Sequence, residues 1–333
     1  MKDQLAVFSG SAHADLAREI CALRGVRLNP SVTKHFSNDN LYVQLQNTVR
    51  EKDVFIVQPF YPPPVSDRVL ELLLMLDAAR LASAKRVTAV IPYYSYSRSD
   101  KKDEPRISIA GRLIADLLQT AGAQRVLTMT LHSPQVHGFF SIPADPLSSR
   151  PVFVRHFRER DLSSTIVVAP DIGHAKSAAR FASDLRLPVT AAMKERVSDS
   201  QVRIVGIVGQ MVRGYRRALI YDDEIATGGS ILELSRRLID EGVEQIWVAC
   251  THGVFVRGGL EKLVAVPYIA EIVTTDTVSI PAEKRDPKLH VLPVGQLFGE
   301  AIRRNYLQQS IGDLFVFGEE EPGITPAVSR LPI

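Results

Sequence analysis

Short apolar runs alternate along this chain with longer stretches whose apolar residues recur at helical spacing. "VFIVQ" from Val54, "VTAVIPYY" from Val87, "TIVVAPD" from Thr165 and "EIVTTDTV" from Glu271 read as buried strands, as does the run from Arg217 to Tyr221. Helices are predicted over Ser66 to Ala84, from about Ile107, over Ala175 to Leu185 and over Gln296 to Tyr306. Another is marked by Ile231, Leu234, Leu238 and Ile239, until Gly242 ends the pattern. Strands apolar on both faces, alternating with helices, predict an α/β protein of mainly parallel sheets flanked by helices.

The pattern also repeats. "AGAQRVLTMTLHS" from Ala121 and "EGVEQIWVACTHG" from Glu241 each end a helix at glycine, enter an apolar strand and finish on a histidine followed by a small residue. By that alignment "VTAVIPYY" matches "RALIYDD", and the chain reads as two similar halves. "PADPLSSRP" breaks both periodicities between Asp145 and Arg150, which sets the expected domains at 1–147 and 148–315, with a tail over 316–333. The last helix is free in this scheme to pack back on the first domain.

Chemistry concentrates at "LIYDDEIATGGSI", Leu219 to Ile231. Its glycines fall in a strand-to-helix turn, where the unpaired N–H groups of the first helical residues and the helix dipole favour an anion. Gly228 and Gly229 permit close approach, Thr227 and Ser230 add hydroxyls, and Asp222 and Asp223 precede the turn. Carboxylates beside a phosphate seat accept hydrogen bonds from hydroxyls, which describes a sugar phosphate; a glycine turn with surface acids is the plain alternative. The motif is neither a dinucleotide fingerprint nor a Walker loop. In the first half the matching turn is the charged loop "YSYSRSDKKDEPR", Tyr94 to Arg106. Ligands of open α/β sheets bind at the carboxyl ends of the strands, so Arg98, Lys101, Lys102 and Arg106 are placed to meet a polyphosphate, against the alternative of a solvated connection.

Composition narrows the partners. The 333 residues carry a net charge of only +3, without polybasic blocks, so small anionic substrates are expected and nucleic acid is not. Two cysteines, Cys21 and Cys250, argue against a disulfide framework and for a reducing, cytoplasmic setting. "LELLLML" is far below membrane-spanning length and "LAVFSGSAH" is too short for a secretory core.

An ordered set of motifs carries a resemblance. "FSGSAH" at Phe8, "FSN" at Phe36, "YSRSDKK" at Tyr96, "LHSPQVHGFFSIPAD" at Leu131, "PDIGHAK" at Pro170, "KER" at Lys194, "DDEIATGGS" at Asp222 and "EAIRR" at Glu300 occur in the order found in ribose-phosphate pyrophosphokinases, up to about Phe315. The resemblance implies two pseudo-symmetric domains of type I phosphoribosyltransferase-like fold. It also implies transfer of a pyrophosphoryl group from ATP to the 1-hydroxyl of ribose 5-phosphate, dependence on Mg²⁺, and homo-oligomers built from dimers, commonly hexamers.

Residue by residue, the resemblance puts Phe36, Asn38, Asn40, Arg98, Ser99, Asp100, Lys101 and Asp103 with the nucleotide. It puts His132 and Asp171 with the metal and the chemistry, Lys194 and Arg196 in a catalytic loop, and Asp222, Asp223, Ala226, Thr227, Gly228, Gly229 and Ser230 around ribose 5-phosphate. Lys194 and Arg196, two apart on an extended segment, point to one side, where they would steady charge on the β-phosphate and departing AMP.

The pattern departs from the family at six places. Asn40 and Ser99 stand for a glutamate and a glutamine of the nucleotide site, which opens the choice of base. Thr130 and Ser141 replace two aspartates of the metal-associated segment, leaving His132 and Asp145. His174 replaces a glycine and Ala226 an aspartate. Two rival readings follow: a non-catalytic, synthase-associated regulatory subunit, and a type I phosphoribosyltransferase, against which the duplicated length and the "YSRSDKK" loop argue.

Overall fold

The computed structural model describes residues 4–23, 25–196, 202–209 and 212–314. The chain divides into two compact units, Met1–Ser148 with Val294–Ile333, and Ser149–Pro293. The first contains β1 (Leu5–Ser9), α1 (Ala14–Ala22), β2 (Leu28–Asn29), β3 (Ser31–His35), β4 (Leu41–Leu45), β5 (Asp53–Val57), α2 (Val65–Leu81), β6 (Arg86–Ile91), α3 (Ala110–Ala121), β7 (Arg125–Met129) and β8 (Ala144–Leu147). Six strands form a parallel sheet in the order β2-β1-β5-β6-β7-β8, while β3 and β4 pair antiparallel as a separate hairpin.

The second unit runs α4 (Arg150–Arg158), β9 (Thr165–Ala169), α5 (Ala175–Leu185), β10 (Val189–Arg196), β11 (Val202–Gly209), β12 (Arg217–Ile225), α6 (Gly229–Asp240), β13 (Gln245–Gly253), α7 (Gly259–Val264), β14 (Ile269–Thr275) and β15 (Leu289–Leu292). Its sheet order is β11-β10-β9-β12-β13-β14-β15, parallel except where β11 joins β10. The last helix, α8 (Gly295–Tyr306), belongs to the first unit. There Gly295 lies so close to Glu19 of α1 that a Cβ would meet its carboxyl group at 2.6 Å.

Both faces of each sheet are covered, as the apolar strands require. On one face of the second sheet Ile220, Val248 and Ile272 pack with Leu234 and Leu238 of α6. On the other, Leu219, Tyr221, Trp247 and Val273 pack with Phe157 of α4 and Phe181 of α5. In the first unit Leu72, Met75 and Leu76 of α2 seal Val54 and Ile56 of β5.

Four expectations need correction. The helix expected from Ile107 begins at Ala110. The strand expected to stop at Tyr221 continues to Ile225, because β13 runs alongside to Gly253 and pairs with Asp222 and Glu224 through Cys250 and His252. Backbone pairing with a neighbour, rather than the apolarity of a strand's own side chains, sets where it ends. The "PADPLSSRP" break holds β8 and the first turn of α4.

The alignment of the two halves is also shifted by one strand. Sheet order makes β5 the counterpart of β12, β6 of β13 and β7 of β14, whereas the sequence alignment matched β6 with β12 and β7 with β13. Helix, glycine, apolar strand is common to every βα unit, so it signals duplication without fixing its register. The counterpart of the "ATGGS" turn is therefore the segment after β5, and the charged loop after β6 corresponds to the one after β13.

Candidate active site

In the second unit, three adjacent parallel strands, β10, β9 and β12, end side by side. β9 leads into Asp171, which opens a short 3-10 turn, Ile172–His174, its side chain accepting the His174 N–H at 3.1 Å. β12 carries Asp222 and Asp223 near its end, the first half-buried and the second buried. The Asp223 N–H donates to the Asp222 carboxylate at 2.8 Å, which fixes that side chain. β10 brings the backbone of Lys194 and Arg196 to the same edge, past a bulge at Met193/Lys194. The side chains of Lys194 and Arg196 lie outside the described residues.

After β12, Ala226 to Gly228 make the turn and α6 starts at Gly229. Gly228 is left-handed (φ 76°), and a Cβ there would sit 3.0 Å from the Gly259 carbonyl oxygen. Gly259 in turn leaves no room for a side chain, because the Ala226 carbonyl oxygen would be 2.5 Å from its Cβ. The turn is thus clamped against the start of α7. Gly229 differs: a Cβ would meet only Thr227 Oγ1, at 3.8 Å. Its side faces space, with Thr227 exposed and Ser230 half-buried beside it. The structure therefore brings Asp171, Asp222, Asp223 and residues 226–230 together in one unit, around the N-terminus of a twelve-residue helix.

In the first unit the expected nucleotide residues occupy two places. Phe36, Asn38 and Asn40 lie exposed at the tip of the β3–β4 hairpin. There Asn38 Oδ1 accepts the Asn40 N–H at 3.2 Å, and Phe36 packs edgewise on Tyr42, ring centroids 5.3 Å apart, with Lys34 over both rings. Arg98, Ser99, Asp100, Lys101 and Asp103 lie in the loop after β6. The base of that loop is pinned, since Ser99 accepts the Gly111 N–H at 3.0 Å and a Cβ on Gly111 would meet the Tyr96 carbonyl oxygen at 2.8 Å. Lys101, Lys102, Asp103 and Arg106 stand exposed. His132 follows β7, and its N–H reaches the buried Ser97 Oγ at 3.3 Å, so this histidine and the charged loop leave neighbouring strand ends together. Thr130 and Ser141 flank it in sequence.

Asp145 does not join His132. It lies on β8 opposite Leu127, and its carboxylate pairs with Arg125 at the beginning of β7. Burial raises its pKa and the Arg125 partner draws it down, a structural ion pair near the far end of the strand.

Matches to known families agree with this architecture. A family model described as the N-terminal domain of ribose phosphate pyrophosphokinase matches residues 5–122, and one described as a phosphoribosyl synthetase-associated domain matches residues 193–316. A Streptomyces coelicolor relative is 51% identical over 315 residues, covering 95% of this chain and 98% of its own. The ribose-phosphate pyrophosphokinase of Deinococcus radiodurans is 49% identical, covering 94% and 98%. The chain belongs to the ribose-phosphate pyrophosphokinase family. The crystal structure of phosphoribosylpyrophosphate synthetase from Mycobacterium smegmatis, 33% identical, superposes with a TM-score of 0.85 over 92% of this chain and 99% of its own. The fold is that of the family, two phosphoribosyltransferase-like α/β units, and among the described residues no helix is long and apolar enough to cross a membrane.

Two members of these clusters escaped the sequence reading as site residues. One is His174, whose Nε2 lies 2.8 Å from Asp223 Oδ1 and 3.7 Å from Asp222 Oδ1, while Nδ1 lies 3.4 Å from Asp171 Oδ1. Burial alone lowers the pKa of this imidazole, but the hydrogen bonds to Asp171 and Asp223 and the surrounding negative charge outweigh it and raise it to about 11. Asp222 moves upward, first through burial and then through the charge of Asp223. The available signal was the spacing Asp-x-x-His, which a single turn brings face to face.

The other is Glu71, buried on α2 within the apolar run "LELLLML". Its carboxylate accepts from Ser11 N–H (2.9 Å), Ser11 Oγ (2.6 Å), Thr33 Oγ1 (2.7 Å) and Gln58 Nε2 (2.5 Å). It joins the loop after β1 and the end of β5 to the hairpin. A lone acid on a core-facing helix position was its signal.

Proposed function

We propose that this chain is a ribose-phosphate diphosphokinase, transferring the pyrophosphoryl group of ATP to the 1-hydroxyl of ribose 5-phosphate and releasing AMP. The observation that carries this reading is the meeting of an acidic pair, a third carboxylate and an open helix N-terminus at the ends of β9 and β12. In this reading the phosphate of ribose 5-phosphate takes the N–H groups and hydroxyls of residues 227–230, where helix dipole and unpaired donors favour an anion. Asp222 and Asp223 accept from the ribose hydroxyls and so orient the 1-hydroxyl. Ala226 gives the turn its width without adding charge.

The nucleotide is assigned to the first unit, with Phe36 as a stacking face, Asn38 and Asn40 beside the base, and Arg98, Ser99, Asp100, Lys101 and Asp103 along the phosphates. Phosphoryl-type transfer asks for positioning and charge stabilisation more than covalent chemistry. Lys194 and Arg196 are assigned to the charge that builds on the transferred group and on AMP. The carboxylates supply hard oxygen donors of the kind Mg²⁺ takes, alongside waters and substrate phosphates, so the residues fit the ion. Asp171 and His132 would hold it, and it would neutralise phosphate charge when bound. A dimer-based homo-oligomer and a cytoplasmic setting complete the reading.

Purified protein incubated with ribose 5-phosphate, Mg²⁺ and each of ATP, GTP and CTP tests it. The expected result is phosphoribosyl pyrophosphate and nucleoside monophosphate in equal amounts, with GTP or CTP accepted in part because Asn40 and Ser99 loosen the base contacts. Nucleotide binding without product from any donor would select the regulatory-subunit reading instead.

A further inference from the structure

Within the second unit, His174 is the cationic group set among Asp171, Asp222 and Asp223. Its two ring nitrogens, on different edges of one imidazole, both face carboxylate oxygens. A ring nitrogen opposite a carboxylate is favourable only as an N–H donor, so two such edges call for the doubly protonated ring. The ring has little freedom to leave. Its backbone N–H is held by Asp171, the turn that presents it is three residues long, and α5 begins at the next residue. Gly173 within that turn would place a Cβ 3.1 Å from Asp171 Oδ1, so the acid and the histidine are folded tightly against each other.

We propose that His174 is a resident counter-cation of the sugar-phosphate pocket, occupying with its imidazole the position a divalent ion bridging Asp171 and Asp223 would take. Two buried neighbouring carboxylates need a positive partner, and here the chain supplies it. Mg²⁺ requires close octahedral oxygen coordination and gives up its waters reluctantly, which leaves it no place between these carboxylates while the ring is there. Without nucleotide the second unit therefore has little affinity for divalent ions, and the metal enters as part of the nucleotide complex. This inference rests on the reading of the pocket given above, and it makes His174 a residue that positions Asp171 and Asp223 and sets how metal is acquired.

The test titrates the full-length chain with Mn²⁺ in the absence of nucleotide and sugar phosphate, counting bound ion from the loss of the free-ion electron paramagnetic resonance signal. Wild type is compared with His174→Gly and His174→Asn. Removing a positive charge a few ångströms from the ion position should tighten Mn²⁺ binding by about tenfold or more in both variants. Adding Asp171→Asn to either variant should abolish the gain. Binding equal to wild type within about twofold in both variants would overturn the proposal, as would weaker binding in both, which would make His174 a metal ligand. His174→Asn retains a polar group on the turn and keeps the test available if the glycine variant does not fold. Because no substrate is present, the result is independent of whether the chain makes phosphoribosyl pyrophosphate. A chain that makes it while both variants keep wild-type Mn²⁺ affinity would lose only this inference.

Discussion

Replacing Gly229 by alanine separates the phosphate seat from the fold that carries it. On the protein side the added Cβ meets only Thr227 Oγ1 at 3.8 Å, an ordinary contact, and the position is not left-handed. Gly229 opens α6, and alanine is preferred over glycine in helices by up to about 1 kcal/mol, less at a terminus. Stability should therefore hold or rise slightly. If a phosphate rests on the N–H groups here, the methyl group enters its space. The KM for ribose 5-phosphate should then rise about tenfold, equivalent to about 1.4 kcal/mol, with the KM for ATP unchanged.

Gly228→Ala is the control. Its left-handed φ of 76° costs a side-chain residue about 1–2 kcal/mol, and the 3.0 Å approach to the Gly259 carbonyl adds strain in a turn already clamped on both sides. A loss of about 2 kcal/mol lowers Tm by roughly 4–8 °C for a unit of this size. The assay is initial-rate kinetics with both substrates, alongside thermal melts of both variants. A Gly229→Ala enzyme that melts like wild type and keeps its KM for ribose 5-phosphate within about twofold would refute the phosphate seat at this helix terminus.

Three other outcomes are expected. Lys194→Ala combined with Arg196→Ala should lower kcat by about 10²- to 10³-fold, as loss of transition-state stabilisers does; near-normal turnover would remove both from the chemistry. Glu71→Gln replaces an acceptor of four hydrogen bonds by a group that must donate one. It should loosen the hairpin carrying Phe36 and raise the KM for ATP more than that for ribose 5-phosphate, whereas equal changes in both would mean a general loss of structure. Glu271 is buried beside His156 (2.8 Å) and Arg160 (2.7 Å); burial alone raises its pKa, but these partners more than reverse that and hold it below the ordinary glutamate range. A depressed folded pKa stabilises above the unfolded value and is lost as pH falls through the folded value. Glu271→Gln should thus remove part of the acid-limb loss of stability in melts across that range, and an unchanged acid limb would deny Glu271 that share.

The α/β alternation, the helix limits at Ala175 and Leu185, and the phosphate turn were legible because each has a local signal: apolar runs, helical spacing, paired glycines. What escaped depends on neighbours. β12 reaches Ile225 through two acids because β13 pairs with it, and no property of Asp222 or Asp223 alone predicts that. The β3–β4 hairpin is a half-exposed, mixed stretch with no apolar run, joined by a turn that Asp39 makes at φ 65°. The repeat was recognised in the wrong register because glycine followed by an apolar strand recurs at every βα step. His174 looked like a departure from a glycine, and its meaning came only from the convergence of β9 and β12. Asp145 looked like a site acid until Arg125 appeared opposite it.

The most direct test of pyrophosphoryl transfer follows ATP labelled at its β-phosphorus through a single incubation of the full-length protein with ribose 5-phosphate and Mg²⁺. The account predicts that the label leaves the nucleotide and appears in the pyrophosphoryl group of phosphoribosyl pyrophosphate, in amount equal to the AMP formed. Label remaining on ADP or ATP, with no labelled sugar product, would contradict it.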